Sequence, residues 1–524
     1  MAQNLAAKAL SHTDTWYASI NNLGNFMRSF KSFRPGLPKL LLLSAVLLLS
    51  TSAGAQTSRV PLPDMGNSAS TILSDREEAE YAREMIRQLR HYDLLIEDPQ
   101  VLAYFEDMGF RLVSRSDRPE QVFTFVVMNE PAINAFAAPG GLVALHSGLI
   151  LAAESPHEVA GVLAHEIAHV TQLHLYRAFE NAKAMTLPIA LATLGLILAG
   201  GGDGEVISGA LMSAQAMSTQ MRINFTRHNE IEADRIGIQT LSDAGYDPDG
   251  MAEFFSKLNR LTRVNGEGPP EFLRTHPVNV NRIAEARDRA ANLPEPPGDP
   301  DSGFYLMQAR VRALYEDEPE EAIAWFRDEL QEDHGQPQVD GLNYGLAIAL
   351  QRDLKYAESR EILETLNRSD PYQLAYQLQL ADLDLAVDEP ESALTRLSNL
   401  HQDFPGNHAI AVEYAEALLH GKEPKQAEQA TRMLREQALK RPDDPTLYAL
   451  YARAANIAGD EVRSAEALAE SYYQRGETTD AIEQLERLTQ DPALDYYQRS
   501  RVEARLLEMR LEAGEELEEP EDDP

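Results

Sequence analysis

The chain has 524 residues, 44% hydrophobic and 25% charged, with 83 acidic side chains against 47 basic ones and a formal net charge of −36. This is the composition of a globular protein with chain enough for about three domains. The acidic excess excludes a nucleic-acid partner, which needs clustered Lys and Arg, and allows at most a peripheral membrane contact. There is no cysteine, so neither disulfides nor an acylated cysteine contribute and stability must come from packing.

In chain order, Arg28, Lys31, Arg34 and Lys39 precede an apolar run from Leu40 to Ser50, and Ala53-Gly54-Ala55 follows as a small-residue cleavage site. This pattern predicts a cleavable export signal over 1–55, with Gln56 as the new N-terminus. The apolar run is too short to span a bilayer comfortably. Residues 1–26 are long for a basic leader, so Met27 is expected as a better-proportioned start. Residues 56–74, polar with Pro and Gly, predict a linker.

Ala79, Ala82, Met85, Ile86 and Leu89 recur at helical spacing, which predicts helices over 75–114. The period then changes. Gln121 to Met128 is rich in β-branched and aromatic residues and predicts a strand; Pro139-Gly140-Gly141 predicts a turn, and Leu142 to His146 a second strand. The edge near Leu142–His146 is expected to be free to pair with an extended peptide.

From Glu154 a buried helix is expected, with Pro156 and the acids Glu154 and Glu158 marking its start. Its sequence Gly161-Val162-Leu163-Ala164-His165-Glu166-Ile167-Ala168-His169 contains an HExxH motif. Histidines four apart share one helix face, so both imidazoles reach one metal ion. Glu166 can take a proton from a metal-bound water, whose pKa zinc lowers to about 7. This is the working core of a zinc peptidase. Chance occurrence is the bland alternative, and the surrounding Leu163, Ala164, Ile167, Ala168 and Val170 weigh against it.

The stretch 183–221 is apolar but broken by Pro188, Gly195 and Gly200-Gly201-Gly202. Its alternatives are a pair of buried helices, a flap over the active site, or a membrane-associated hairpin. Catalytic zinc takes three protein ligands and keeps one position open. Glu230 and Asp234, four apart on an expected helix from Glu230 to Asp243, share a face. Glu230 can bind the metal and Asp234 can orient a ligand imidazole; an ordinary solvated acidic face has the same spacing. His276-Pro277 reads either as a helix start with Pro277 first in the helix, or as a group near the metal. In the second reading His276 stabilises the tetrahedral intermediate, or occupies the open position and keeps the enzyme latent. His157, His174 and His228 are expected at the surface or at caps, the first two being out of phase with His165 and His169.

Asn292 to Gly303 predicts a second linker, and helix pairs are expected beyond it. Ala381 and Ala393 recur thirty-four residues on as Ala415 and Ala427, and Pro371 and Pro405 share that spacing. The clearest unit runs from Ala469 to Gly476 with Ala481, Leu485 and Pro492. This predicts about four to six degenerate tetratricopeptide units over 304–510; the alternative is a generic helical bundle. Residues 511–524 predict an acidic, solvated tail.

HEIAH followed by Glu230-Ile231-Glu232-Ala233-Asp234 resembles the HtpX and Ste-type (CAAX prenyl protease-like) zinc metallopeptidases over about residues 75–290. Asn134 to Gly141 and Gly148-Leu149-Ile150 are also similar to that family. The resemblance implies a mainly α fold: a gluzincin-type zinc peptidase domain with a small β-sheet over 75–291, a linker over 292–303, and an α-solenoid of tetratricopeptide repeats over 304–510. It implies one Zn²⁺ per chain held by His165, His169 and Glu230, with Glu166 as general base and Asp234 and His276 completing the catalytic set. Signal, peptidase and repeats together resemble the periplasmic β-barrel assembly-enhancing proteases. That likeness implies stalled or misfolded outer-membrane proteins as substrates and the outer-membrane assembly machinery as a partner of the repeats. The alternative is a periplasmic chaperone or scaffold in which the repeats dominate and proteolysis is accessory.

Overall fold

The computed structural model describes residues 74–181, 227–264, 269–294, 296 and 302–514. The expected export signal, nearly all of the linker over 56–74, the apolar stretch 183–221 and all but the first residues of the acidic tail lie outside the described residues. No described helix is long and apolar enough to cross a membrane.

Two helices open the described chain, α1 (Asp75–His91) and α2 (Pro99–Val113). Ser74 and Glu77 form a capping box on α1. The Asp98 side chain caps α2, with Pro99 at its first position. A three-stranded sheet follows, β1 (Thr124–Met128), β2 (Ala135–Ala138) and β3 (Leu142–His146), in the order β1-β3-β2. β3 pairs parallel with β1 and antiparallel with β2, and all five of its residues are buried. The free edge expected near Leu142–His146 is therefore displaced to β2. The cause is the turn at Pro139–Gly141, where Gly140 at φ 79 reverses the chain and sends β3 between the other two strands.

α3 (Ser147–Ala152) leads to α4 (Pro156–Thr171), which carries the HExxH sequence. The Ser155 side chain caps α4 by accepting from the Glu158 N–H. Every residue from Glu158 to His169 is buried, the polar His165, Glu166 and His169 included. α6 (Arg227–Asp243) and α7 (Gly250–Val264) pack on it. They come in at backbone contact: a Cβ on Gly237 of α6 would lie 3.1 Å from the Ala164 carbonyl carbon, and one on Gly161 of α4 would lie 2.9 Å from the Met251 backbone. Lys257 of α7 clasps the start of α4, with Nζ 2.7 Å from Glu158 and 3.1 Å from Glu154. α5 (His174–Asn181) continues from α4, and α8 (Glu271–Thr275) and α9 (Val280–Ala290) follow α7.

From Gly303 the described chain is twelve helices in six hairpins, α10 (Gly303–Tyr315) to α21 (Tyr496–Glu512). One apolar cluster runs from Ile96 and Val127 through Leu163 and Phe255 to Phe304, Phe326, Tyr344 and Leu383. α10 is the reason. Its Gln308 donates to the carbonyls of Ile150 and Ala153 at 2.8 and 2.7 Å. Its Arg310, 7% exposed, pairs with Asp98 at 2.9 and 2.7 Å and donates to Tyr344 Oη and Gln379 Oε1, both at 3.0 Å.

Burial pushes the Asp98 carboxyl up, but Arg310 and the two capped N–H groups outweigh it and hold its pKa below the ordinary value. A depressed carboxylate stabilises the fold above its unfolded pKa, near 3.9, and that contribution is lost as pH falls through the folded value. Arg310→Ala strands a buried carboxylate and is expected to cost about 3–5 kcal/mol at pH 7. Urea unfolding of parent and variant measures this; equal midpoints would contradict the keystone role of the pair.

Candidate metal centre

α4 presents His165 and His169 with 0% and 2% of their surface exposed and their Nε2 atoms 3.0 Å apart. α6 brings Glu230 to them. Its Oε2 lies 3.6 Å from His165 Nε2 and its Oε1 3.5 Å from His169 Nε2. His276, at the C-terminal cap of α8, completes the group. Its Nδ1 lies 3.3 Å from His165 Nε2 and 3.2 and 3.3 Å from the two Glu230 oxygens. All four residues are buried, and one donor atom from each lies within 4.8 Å of the others.

Two tests show that these residues fit a metal ion. With metal–ligand bonds of about 2.0–2.2 Å, the donors of a tetrahedral zinc site stand about 3.3–3.6 Å from one another. The contacts above run from 3.0 to 3.6 Å. Charge gives the second test. Glu166, Glu230 and Asp234 are buried with Arg282. Three carboxylates against one guanidinium leave a deficit that a divalent cation balances.

The surroundings orient these groups. His165 Nδ1 sits 3.0 Å from Asp234 Oδ1, which fixes the ring with Nε2 toward the cluster. Arg282 of α9 donates to both Asp234 oxygens at 2.7 Å, to Glu230 Oε2 at 2.8 Å and to the Pro277 carbonyl at 2.8 Å. Glu166 Oε1 lies 3.5 Å from His276 Nε2, and the Glu166 carboxylate accepts the N–H of Ala137 on β2. Phe272 stacks on the His276 ring at 4.8 Å, and Phe255 meets His165 edge-on at 6.1 Å.

Burial dominates the electrostatics. It pulls His165 down, but Asp234 and Glu230 overcome it and leave that imidazole raised to about 9; a bound ion displaces this proton. Burial and the neighbouring His165 hold His169 well below its ordinary value, neutral as a ligand must be. Burial pushes Glu230 up, and His276 and His165 reverse this, holding it well below the usual carboxylate range. Burial raises Glu166 despite His276 and His165, the direction that suits a proton acceptor working near neutral pH.

The structure thus brings together His165, Glu166, His169, Glu230, Asp234 and His276. It leaves His157 half-buried against Asp247 and His228 exposed, away from the cluster. Pro277 is not the first residue of a helix; α9 begins at Val280 with Asn279 as its cap. His174 departs from the expected surface or cap position. It is fully buried, with Nδ1 3.0 Å from His169 Nδ1 and Nε2 3.1 Å from Glu232. α4 ends at Thr171 and Leu173 turns the chain at φ 55, so helical phase no longer applies at position 174. No sequence pattern marks that turn. Arg282 had a signal only as a cation shortly after His276.

A buried HExxH helix with a carboxylate supplied from a second helix defines a metallopeptidase, here continued by a solenoid of helical hairpins. The model of peptidase family M48 matches residues 99–290, and a tetratricopeptide repeat model matches 384–454. The chain is 33% identical over 469 residues to the β-barrel assembly-enhancing protease of Escherichia coli K12, covering 90% of this chain and 95% of that one. It is 33% identical over 475 residues to the protein of the same name in Yersinia pestis, covering 90% and 97%. The mitochondrial metalloendopeptidase OMA1 of Arabidopsis thaliana is 33% identical over 157 residues, 30% of this chain and 29% of that one. The chain belongs to the family of β-barrel assembly-enhancing proteases within peptidase family M48, a metalloprotease family whose metal is zinc.

Removing Asp234 leaves the metal groups in place but frees the His165 ring. Asp234→Ala is expected to lose about 10–100-fold in zinc affinity with its helical content retained. Chelator competition followed by circular dichroism measures both; an unchanged affinity would contradict the orienting role.

Proposed function

We propose that the protein is a periplasmic zinc metalloendopeptidase that cleaves stalled or misfolded outer-membrane proteins and aids their assembly. The observation that carries this is the buried group of His165, His169, Glu230 and His276 with Glu166 beside it and the outer strand β2 alongside. The relatives' name, which speaks of β-barrel assembly, supports the client class, and the basic and apolar N-terminal segment supports the compartment.

In this reading His165, His169 and Glu230 hold the ion. Bound zinc supplies Lewis acidity, polarising the scissile carbonyl and acidifying a water. Glu166 accepts the proton of the attacking water and delivers it to the leaving nitrogen. Its elevated pKa suits both halves of that transfer. An extended peptide pairs with β2, the outer strand, so unfolded segments are favoured over folded ones. The apolar rings of Phe255 and Phe272 keep bulk water from the reacting groups.

His276 stands as a fourth donor, 3.3 Å from His165 and 3.2 Å from Glu230, where a catalytic site keeps an opening. In our reading this is a latent state, and activity requires the loop between α8 and α9 to withdraw His276. The hairpins of the solenoid hold clients or assembly partners.

Glu166→Gln is expected to keep its zinc and lose casein cleavage by at least about 10²-fold, while His276→Ala cleaves faster than the parent. Zinc content by atomic absorption and the cleavage rate on the full chain test both. Cleavage that survives Glu166→Gln would sink the mechanism. A His276→Ala variant no faster than the parent would sink latency. Should Glu166→Gln still support envelope integrity in cells, the scaffold role would carry the main function.

A further inference from the structure

Each imidazole of the HExxH pair has a second nitrogen, and the structure backs the two differently. His165 Nδ1 meets the Asp234 carboxylate directly, at 3.0 Å. Behind His169 stands another imidazole. His174 of α5 puts its Nδ1 3.0 Å from His169 Nδ1, the two rings meeting edge-on with centroids 4.8 Å apart. On its far side, His174 Nε2 lies 3.1 Å from Oε2 of Glu232 on α6. Arg177, one turn further along α5, pairs with the same oxygen at 3.1 Å.

The protons in this chain follow by elimination. His169 Nε2 lies 3.0 Å from His165 Nε2 and 3.5 Å from Glu230. The lone pair that an ion takes is therefore on Nε2, and the ring proton is on Nδ1. His174 Nδ1 accepts that proton's hydrogen bond, so His174 carries its own proton on Nε2 and donates it to Glu232. The other tautomer of His174 would set two N–H groups against each other and a lone pair against a carboxylate.

Local backbone geometry delivers the arrangement. Leu173 at φ 55 turns the chain after α4 and brings His174 back to the last turn of that helix. Glu232 lies two residues from Glu230, about 200° round α6, so it does not face the cluster as Glu230 and Asp234 do. Its side chain is 22% exposed against 2% and 8% for theirs. The fully buried His174 ring spans the gap between Glu232 and His169.

We infer that His174 is a positioning residue for the metal ligand His169: it fixes that ring with Nε2 toward the cluster and relays the charge of Glu232 to it, as Asp234 does directly for His165. The inference rests on the reading of His169 as a ligand and deepens it. A hydrogen bond behind a ligand imidazole stops the ring from turning and makes its other nitrogen a stronger donor. All three acids of Glu230-Ile231-Glu232-Ala233-Asp234 then serve one ion, the first as ligand and the other two from behind the imidazoles.

The test uses the full chain. Zinc affinity is measured by chelator competition, and ligand geometry by the visible absorption of the cobalt-substituted protein. His174→Phe keeps the bulk of the ring and loses the acceptor. His174→Asn keeps an acceptor near the position of Nδ1, and Glu232→Gln keeps the hydrogen bond but removes the charge. His174→Phe is expected to lose about 10–100-fold in zinc affinity and to change the cobalt spectrum, with its helical content retained. His174→Asn should recover most of the affinity and the parent spectrum. Glu232→Gln should keep the spectrum and lose part of the affinity. A His174→Phe variant with the affinity and spectrum of the parent overturns the relay. So does a His174→Asn variant as weak as His174→Phe, which would mark His174 as packing alone. His169→Ala separates this inference from its premise. Unchanged zinc affinity there removes His169 as a ligand, whereas a large loss there with none in His174→Phe removes only the relay.

Discussion

A buried guanidinium organises this site. Arg282 donates to Asp234, to Glu230 and to the carbonyl of Pro277, so one side chain ties α9, α6 and the His276 loop together. Without it two carboxylates would lie buried side by side, at a cost that neither would bear ionised. With it, Asp234 stays charged beside His165, and Glu230 stays charged, as its proposed role as a metal ligand requires. The arrangement also needs α6 to touch α4 at backbone distance, which Gly237 permits. A methyl there would press on the Ala164 carbonyl, one residue before His165.

The solenoid is not an appendage on this scaffold. α10 shares the apolar core of the first half and is pinned to the cap of α2 by Arg310. The far end of the solenoid returns to α1, where Arg87 donates to Tyr473 Oη at 2.6 Å and lies over its ring at 4.6 Å. α1 in turn packs its Glu78 carbonyl and Ala82 against Gly140, at the turn that sets the outer strand. One helix thus touches both the last repeats and the edge beside the metal cluster. Rigid elements, rather than loops, set most of the distances in the site.

How much of this could be read from the sequence depends on how local each cause is. HExxH lies on one turn of one helix, and Glu230 and Asp234 on one turn of another, so helical geometry alone placed each pair. Which residue completes the cluster is set by α8, and only the His276-Pro277 dipeptide hinted at it. His174 escaped because its position follows from a single left-handed residue, Leu173, which carries no sequence mark. The sheet order escaped as well: two strands and a turn are legible in the sequence, but not that the turn inserts β3 between β1 and β2. The repeats were legible from their spacing; that the buried face of α10 joins the apolar core of the first half was not, because it depends on contacts distant in sequence.

The central claim is that His276 belongs to the metal's coordination shell at rest. X-ray absorption at the zinc edge, on the full chain and on His276→Ala, tests it directly. The account predicts three imidazoles and one carboxylate around zinc in the parent and two imidazoles in the variant. The same imidazole count in both, or a parent that binds no zinc, would contradict it.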